Sequence, residues 1–288
     1  MNFREKLAAG KFVVTCEVGP PKGVDVSDMR RSAERVRGKV DAVNVTDQQS
    51  SVMRLGSLAG CIMLKQWGME PVLQMTCRDR NRIALQSDLL SAYALGIENV
   101  LCLTGDYVTL GDHPQAKPVF DLDSVSLIQT ARELENGHDL AGKELKGSPR
   151  FFMGACVTPE ADHLEPQIIK MERKVEAGAQ FFQTQAVYDA ERFADFMSMV
   201  RHIKVPVLAG VVVLRSAAMA RYMNEKAAGI HVPQRLIDEM DKAPDKAAKG
   251  VEIAVRTIAE VKGVCQGVHI MTIGMEKRTS DIIDAAGL

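Results

Sequence analysis

Four apolar runs open the chain at an even pitch: Phe12–Val18, Asp41–Asp47, Glu70–Cys77 and Asn99–Asp106, with first residues 29 positions apart each time. A strand of a helix-covered parallel sheet is buried on both faces, so it reads as a continuous apolar run rather than an alternation. Each run turns polar at its C-terminal end, as Thr15-Cys16-Glu17, Asn44-Val45-Thr46, Gln74-Met75-Thr76 and Thr104-Gly105-Asp106. Polar groups repeated at the same end of successive parallel strands gather on one rim. That is the arrangement of a (β/α)8 barrel, whose C-terminal strand ends build the active site.

The pattern continues along the chain. Asn81–Leu95 carries Ile83, Leu89, Leu90 and Leu95 among polar residues and is followed by Gly96, a helix stop. Tyr107–Leu122 is irregular and rich in Gly, Pro and Asp, the mark of a functional or disordered loop. Asp123 or Ser124 can cap a helix running to Glu135, and a polar stretch, Asn136–Ser148, follows. Further strands are expected at Phe151–Thr158, Phe181–Tyr188, Val205–Leu214 and Gly267–Gly274. Helices are expected at Pro166–Ala177, Ala190–His202, Ser216–Lys226, Asp245–Val261 and Glu276–Ala286, and His231–Met240 reads as an extra short helix before the last helix–strand unit. The fold expected is therefore α/β, a single TIM-type (β/α)8 barrel over residues 1–288. An open doubly wound sheet would carry a G-x-G-x-x-G turn after its first strand, and none follows Val18.

Composition narrows the partners. With 36 basic and 37 acidic residues the net charge is −1, which leaves no nucleic-acid footprint. No apolar stretch approaches the roughly 20 residues of a membrane span, and Met1–Lys6 lacks a signal-peptide core, so a cytoplasmic location is expected. The six cysteines stand alone, four of them within expected strands, which fits small core hydrophobes. With no C-x-x-C, H-x-x-x-H or H-E-x-x-H spacing, no metal site is expected.

Candidate chemistry sits at the strand ends. Glu17 is flanked by apolar residues just before Gly19-Pro20-Pro21. Burial favours the protonated form of a carboxyl, which suits a general acid, while an ion-paired structural role is the alternative. Asp106 follows Thr104-Gly105, where glycine lets a ligand approach the backbone, and could equally be a turn residue. Gln183 and Gln185, two apart on the sixth strand, are expected to face the barrel interior and need partners, either a heterocyclic ligand or a core amide network. Arg173 and Lys174 read as a solvated helix end or as phosphate contacts.

The Cys-Glu-Val-Gly-Pro-Pro turn around Glu17, Leu103-Thr104-Gly105-Asp106, the run Arg173–Ala179 and Gln183-Thr184-Gln185-Ala186-Val187-Tyr188-Asp189 occur in that order. Together they resemble the methylenetetrahydrofolate reductase family over nearly the whole chain. The resemblance implies a flavoprotein, with FAD expected before FMN, that reduces 5,10-methylenetetrahydrofolate to 5-methyltetrahydrofolate. It makes Glu17 the acid that opens the substrate's five-membered ring, and it places Asp106, Gln185 and Gln183 at the folate. Thr46, Gln74, Thr104, Gly105 and Asp106 fall on the flavin side, with Thr158 beyond them and Arg173 and Lys174 near the flavin phosphates.

The chain departs from NADH-dependent members at Ala217, at Ile270-Met271-Thr272-Ile273-Gly274, at Gln74 and at Thr104. The pattern resembles short forms of anaerobes and acetogens, which implies an iron–sulfur partner subunit as electron source and a hetero-oligomer. Two other classes remain open at this point. One is another barrel enzyme, an aldolase or a corrinoid-linked methyltransferase; the other is a non-catalytic subunit of a redox complex.

Overall fold

A computed structural model describes residues 1–227 and 229–288. Eight parallel strands close into one barrel in sequence order. They are β1 (Val13–Val18), β2 (Ala42–Val45), β3 (Pro71–Thr76), β4 (Asn99–Leu103), β5 (Phe152–Val157), β6 (Phe181–Ala186), β7 (Val207–Val212) and β8 (Gly267–Met271). β1 pairs with β8, Val13 opposite Gly267 and Cys16 opposite Ile270, so no sheet edge is left open.

Around the barrel run α1 (Phe3–Ala8), α2 (Ser27–Val36), α3 (Ser57–Gln66), α4 (Arg82–Ala94), α5 (Ser124–Glu135), α6 (Leu164–Ala177), α7 (Ala190–Met199), α8 (Ala217–Lys226), α9 (Gln234–Lys242), α10 (Lys246–Val261) and α11 (Thr279–Ala285). Their starts follow local chemistry. Asp123 caps α5 by accepting from the Ser126 amide while Ser126 Oγ accepts from the Asp123 amide, and Asn81, Asp189 and Asp245 cap α4, α7 and α10. The extra helix α9 begins at Gln234 rather than His231, because Pro233 steers Val232 away from helical geometry. Glu276–Arg278 is a 3-10 turn ahead of α11, shortening the expected closing helix.

Alternate strand residues point inward and outward. Val14, Cys16, Val43, Val45, Leu73 and Met75 join the large cluster beneath the helices. Val13, Ala42, Val72, Leu101, Phe152, Phe181 and Leu208 fill the barrel floor together with Phe3 from α1. The Phe3 ring meets those of Phe152 and Phe181 edge-on at 5.6 and 5.2 Å, and the latter two stack at 4.9 Å. Gly154 makes room for them, since a Cβ there would lie 2.2 Å from the Phe181 ring. Glu70 ties the plug down by accepting from the Phe3 amide at 3.1 Å. With an apolar floor at one end, polar groups are left to the opposite rim.

Candidate active site

The rim polar groups belong to the inward-facing rows of the strands. Glu17 on β1 has a side chain 12% exposed and lines a cleft of about 360 Å³ with Thr46, Arg54, Arg215 and Thr272. Its Oε1 accepts from Gln74 Nε2 on β3 at 2.8 Å, and His269 Nε2 on β8 lies 3.4 Å from the same oxygen. Thr46, just past β2, is 2% exposed, and its hydroxyl has no partner among the described residues. A buried hydroxyl without a partner is costly, so a polar ligand atom in the cleft would satisfy it.

Beside the cleft, two rim loops lock together. Asp106 is exposed and accepts from the Ser50 amide at 3.0 Å through Oδ2, while Asp112 accepts from the Met53 amide at 3.1 Å. Arg78, 1% exposed, donates to the carbonyls of Gln48 and Asp106 at 3.3 Å and pairs with Asp79. Gly111 is required, because a Cβ there would overlap the Ser51 carbonyl oxygen at 1.8 Å. Among the described residues, four non-glycine residues have left-handed φ: Gln48, Ser50, Ser51 and Phe120. All four lie in these loops, and backbone strain of this kind gathers at ligand-binding sites. Gly105, with φ +97°, completes the turn, where an added Cβ would sit 3.0 Å from Thr76 Cβ. Thr104 Oγ1 accepts from the Ser124 amide at 3.2 Å and so anchors α5.

The other expected residues lie further off. Gln183 is buried below the rim with its amide taken up by Asn44 and Thr15, so the expected need for a ligand falls on Gln185 alone. Gln185 is half-buried, and its side chain has no hydrogen-bond partner among the described residues. A register irregularity separates the two: Thr184 Oγ1 accepts from the Gly210 amide at 2.8 Å and donates to the Gln185 carbonyl at 2.7 Å. That breaks the strict alternation assumed from sequence.

Thr158 is half-buried against Gly229. Lys174 is buried and donates to the Cys156 carbonyl at 2.6 Å, with burial lowering its pKa. Arg173 is exposed on α6. None of these three lines the cleft.

Two groups escaped the sequence reading. His269 lay inside an apolar run, its only signal being a lone polar residue between Val268 and Ile270. Glu160 is 1% exposed and holds the Tyr188 and Asp189 amides on Oε1, both at 2.9 Å, while its Oε2 has no partner among the described residues. Burial pushes its pKa up to about 7.

A family model described as methylenetetrahydrofolate reductase matches residues 2–287. The chain belongs to the methylenetetrahydrofolate reductase family. It is 27% identical to methylenetetrahydrofolate reductase 2 of Schizosaccharomyces pombe, over 78% of this chain and 37% of that protein. It is 26% identical to methylenetetrahydrofolate reductase 1 of the same yeast, over 96% of this chain and 46% of that protein. The chain thus spans less than half the length of these relatives. Among solved structures, an uncharacterised Clostridium thermocellum protein that binds two copies of 5-methyl-5,6,7,8-tetrahydrofolic acid superposes with a TM-score of 0.67 at 17% identity, covering 98% of this chain and 96% of that one. A 2,3-dimethylmalate lyase, at TM-score 0.52 and 11% identity over 99% of this chain and 87% of that one, shares the fold.

Proposed function

We propose that this chain reduces 5,10-methylenetetrahydrofolate to 5-methyltetrahydrofolate, with FAD bound across the rim and Glu17 as general acid. The observation that carries the reading is Glu17 itself, a carboxyl set at the cleft with one oxygen held by Gln74 and the unpaired Thr46 hydroxyl lining the same cavity. Family membership supports the reaction, and the methyltetrahydrofolate bound by the Clostridium thermocellum neighbour supports the ligand class.

The residues present fit a flavin. Thr46 offers a buried hydroxyl with no partner among the described residues. When bound, the flavin supplies the hydride that reaches the methylene carbon. Glu17 gives a proton to the substrate nitrogen as the five-membered ring opens, which turns a poor leaving group into a good one. Gln185 and Asp106 meet the pterin's donors and acceptors: the Gln185 amide is uncommitted, and Asp106 Oδ1 stays available while Oδ2 holds Ser50.

Electrons come from a separate redox subunit bearing iron–sulfur clusters rather than from NADH. Supporting this, Ala217 and Met271 offer no aromatic face for a nicotinamide.

Glu17→Gln tests the reading. It should retain fold and flavin binding but lower folate reduction by about 10² or more, the scale of lost acid–base catalysis. Unchanged turnover would remove Glu17 from the mechanism. For the electron source, anaerobic stopped-flow should show fast reduction by a viologen radical and slow reduction by NADH or NADPH. Fast reduction by a pyridine nucleotide alone would overturn the partner assignment.

A further inference from the structure

Below Glu17 four polar residues from four strands are sealed inside the barrel: Thr15, Asn44, Gln183 and His269, none more than 2% exposed. Each has to find its partners among the protein groups around it. Asn44 and Gln183 pair amide to amide, Asn44 Nδ2 donating to Gln183 Oε1 at 2.7 Å and Gln183 Nε2 to Asn44 Oδ1 at 3.2 Å. The second proton of Gln183 Nε2 faces Thr15 Oγ1 at 3.2 Å and His269 Nδ1 at 3.3 Å. Thr15 Oγ1 is itself 2.8 Å from His269 Nδ1, whereas its other acceptor, the Val268 carbonyl, is 3.4 Å away.

These distances assign the imidazole. An amide nitrogen only donates, so a proton on Nδ1 would be set against the Gln183 N–H, whereas a lone pair there accepts from Gln183 and from the Thr15 hydroxyl. With Nδ1 an acceptor, the neutral ring carries its proton on Nε2, a tautomer fixed by the network rather than seen directly. Nε2 is the ring atom that lies 3.4 Å from Glu17 Oε1, and Oε1 already accepts from Gln74 at 2.8 Å. Glu17 Oε2 takes no protein hydrogen bond among the described residues.

We propose that His269 is a positioning residue for Glu17: its Nε2–H edge, with Gln74, holds Oε1 and leaves Oε2 as the oxygen that carries and delivers the proton. The inference rests on the reading of Glu17 as proton donor. Both N–H groups face an acceptor whether Glu17 is protonated or not, so proton release needs no rearrangement of the wall behind it. That is the preorganisation on which a positioned acid depends. The Asn44–Gln183 pair then belongs to the same device, because it turns the Gln183 N–H toward Nδ1.

The test joins spectroscopy to kinetics on the full chain. In 15N-histidine-labelled protein near neutral pH, His269 should show a bare Nδ1 and a protonated Nε2. A proton on Nδ1, or on both nitrogens, overturns the assignment without recourse to activity. In kinetics, His269→Leu should lower kcat for folate reduction about tenfold with KM little changed, the worth of one hydrogen bond. His269→Gln, which keeps an N–H donor near the position of Nε2, should restore most of the loss. Equal turnover in wild type and His269→Leu, or a Gln variant no better than Leu, overturns the proposal. If Glu17→Gln is impaired while His269→Leu is not, the positioning role alone fails. If Glu17→Gln is itself unimpaired, the proton-donor reading falls and the positioning role falls with it.

Discussion

The two ends of the barrel interior are built from the same strands and solve opposite problems. At the floor, Phe3, Phe152 and Phe181 fill the bore with rings, and Gly154 keeps a gap for one of them. Two residues further along, five of the eight strands place Thr15, Asn44, Gln74, Gln183 and His269 at the equivalent inward positions, where they fill the space by hydrogen bonding to one another or to Glu17. The floor is held by dispersion and exclusion of water, which tolerate no gap. The upper layer is held by matched donors and acceptors, which tolerate no missing partner. The apolar end therefore resists change through packing, and the polar end through paired groups that it holds oriented toward the cleft.

Phe181→Ala should break the floor hardest. It should lower stability by about 3–5 kcal/mol, as deletion of a buried ring does, read as a fall in the urea midpoint, with turnover per folded molecule nearly kept. Next comes Glu160, which tests whether the polar end also stores a charge cost. With its pKa pushed from 4.5 to about 7, the folded chain keeps a proton that the unfolded chain has already released. Stability should therefore fall as pH rises through that window and level off above it. The total is about 3 kcal/mol at 1.36 kcal/mol per unit. Urea unfolding at about pH 5 and about pH 8 should show the slope in wild type and lose most of it in Glu160→Gln.

Gln183→Leu should cost about 1–3 kcal/mol by stranding Asn44 and Thr15, whereas adding Asn44→Leu should cost less than the sum of the two single changes. An additive double mutant would refute the paired network. The smallest effect is expected at the rim: Gly105→Ala, at φ +97°, should lose about 1–2 kcal/mol from left-handed strain and weaken flavin binding measured by titration of the apoprotein.

What could be read from the residues followed the same divide. The strands were visible because both faces of each are apolar, and Glu17 and Thr46 because they interrupt that apolarity at the end of a run. Asp123 announced α5 through local chemistry, a capping side chain next to its helix. What could not be read depends on residues far apart in the chain. Gln183 was expected inward, but its partner Asn44 sits on another strand 139 positions away. Glu160 gave no signal, because nothing nearby in sequence shows that two amides of the β6–α7 turn converge on it. The helix α1 is too short for periodicity to reveal, although Asn2 and Glu5 form its capping box.

The plug formed by Phe3 also sets a schedule. Phe3 and Leu7 are made before any of the floor residues they rest on, and the rings of Phe152 and Phe181 emerge from the ribosome only much later. At about 5–20 residues per second the first helix waits on the order of ten seconds or more for its socket. Until then it is an amphipathic segment with nowhere to bury its face. A chain stalled or cut before β6 lacks Phe181 and keeps part of that face uncovered, so the residue that seals the finished barrel is left unsealed in an unfinished one.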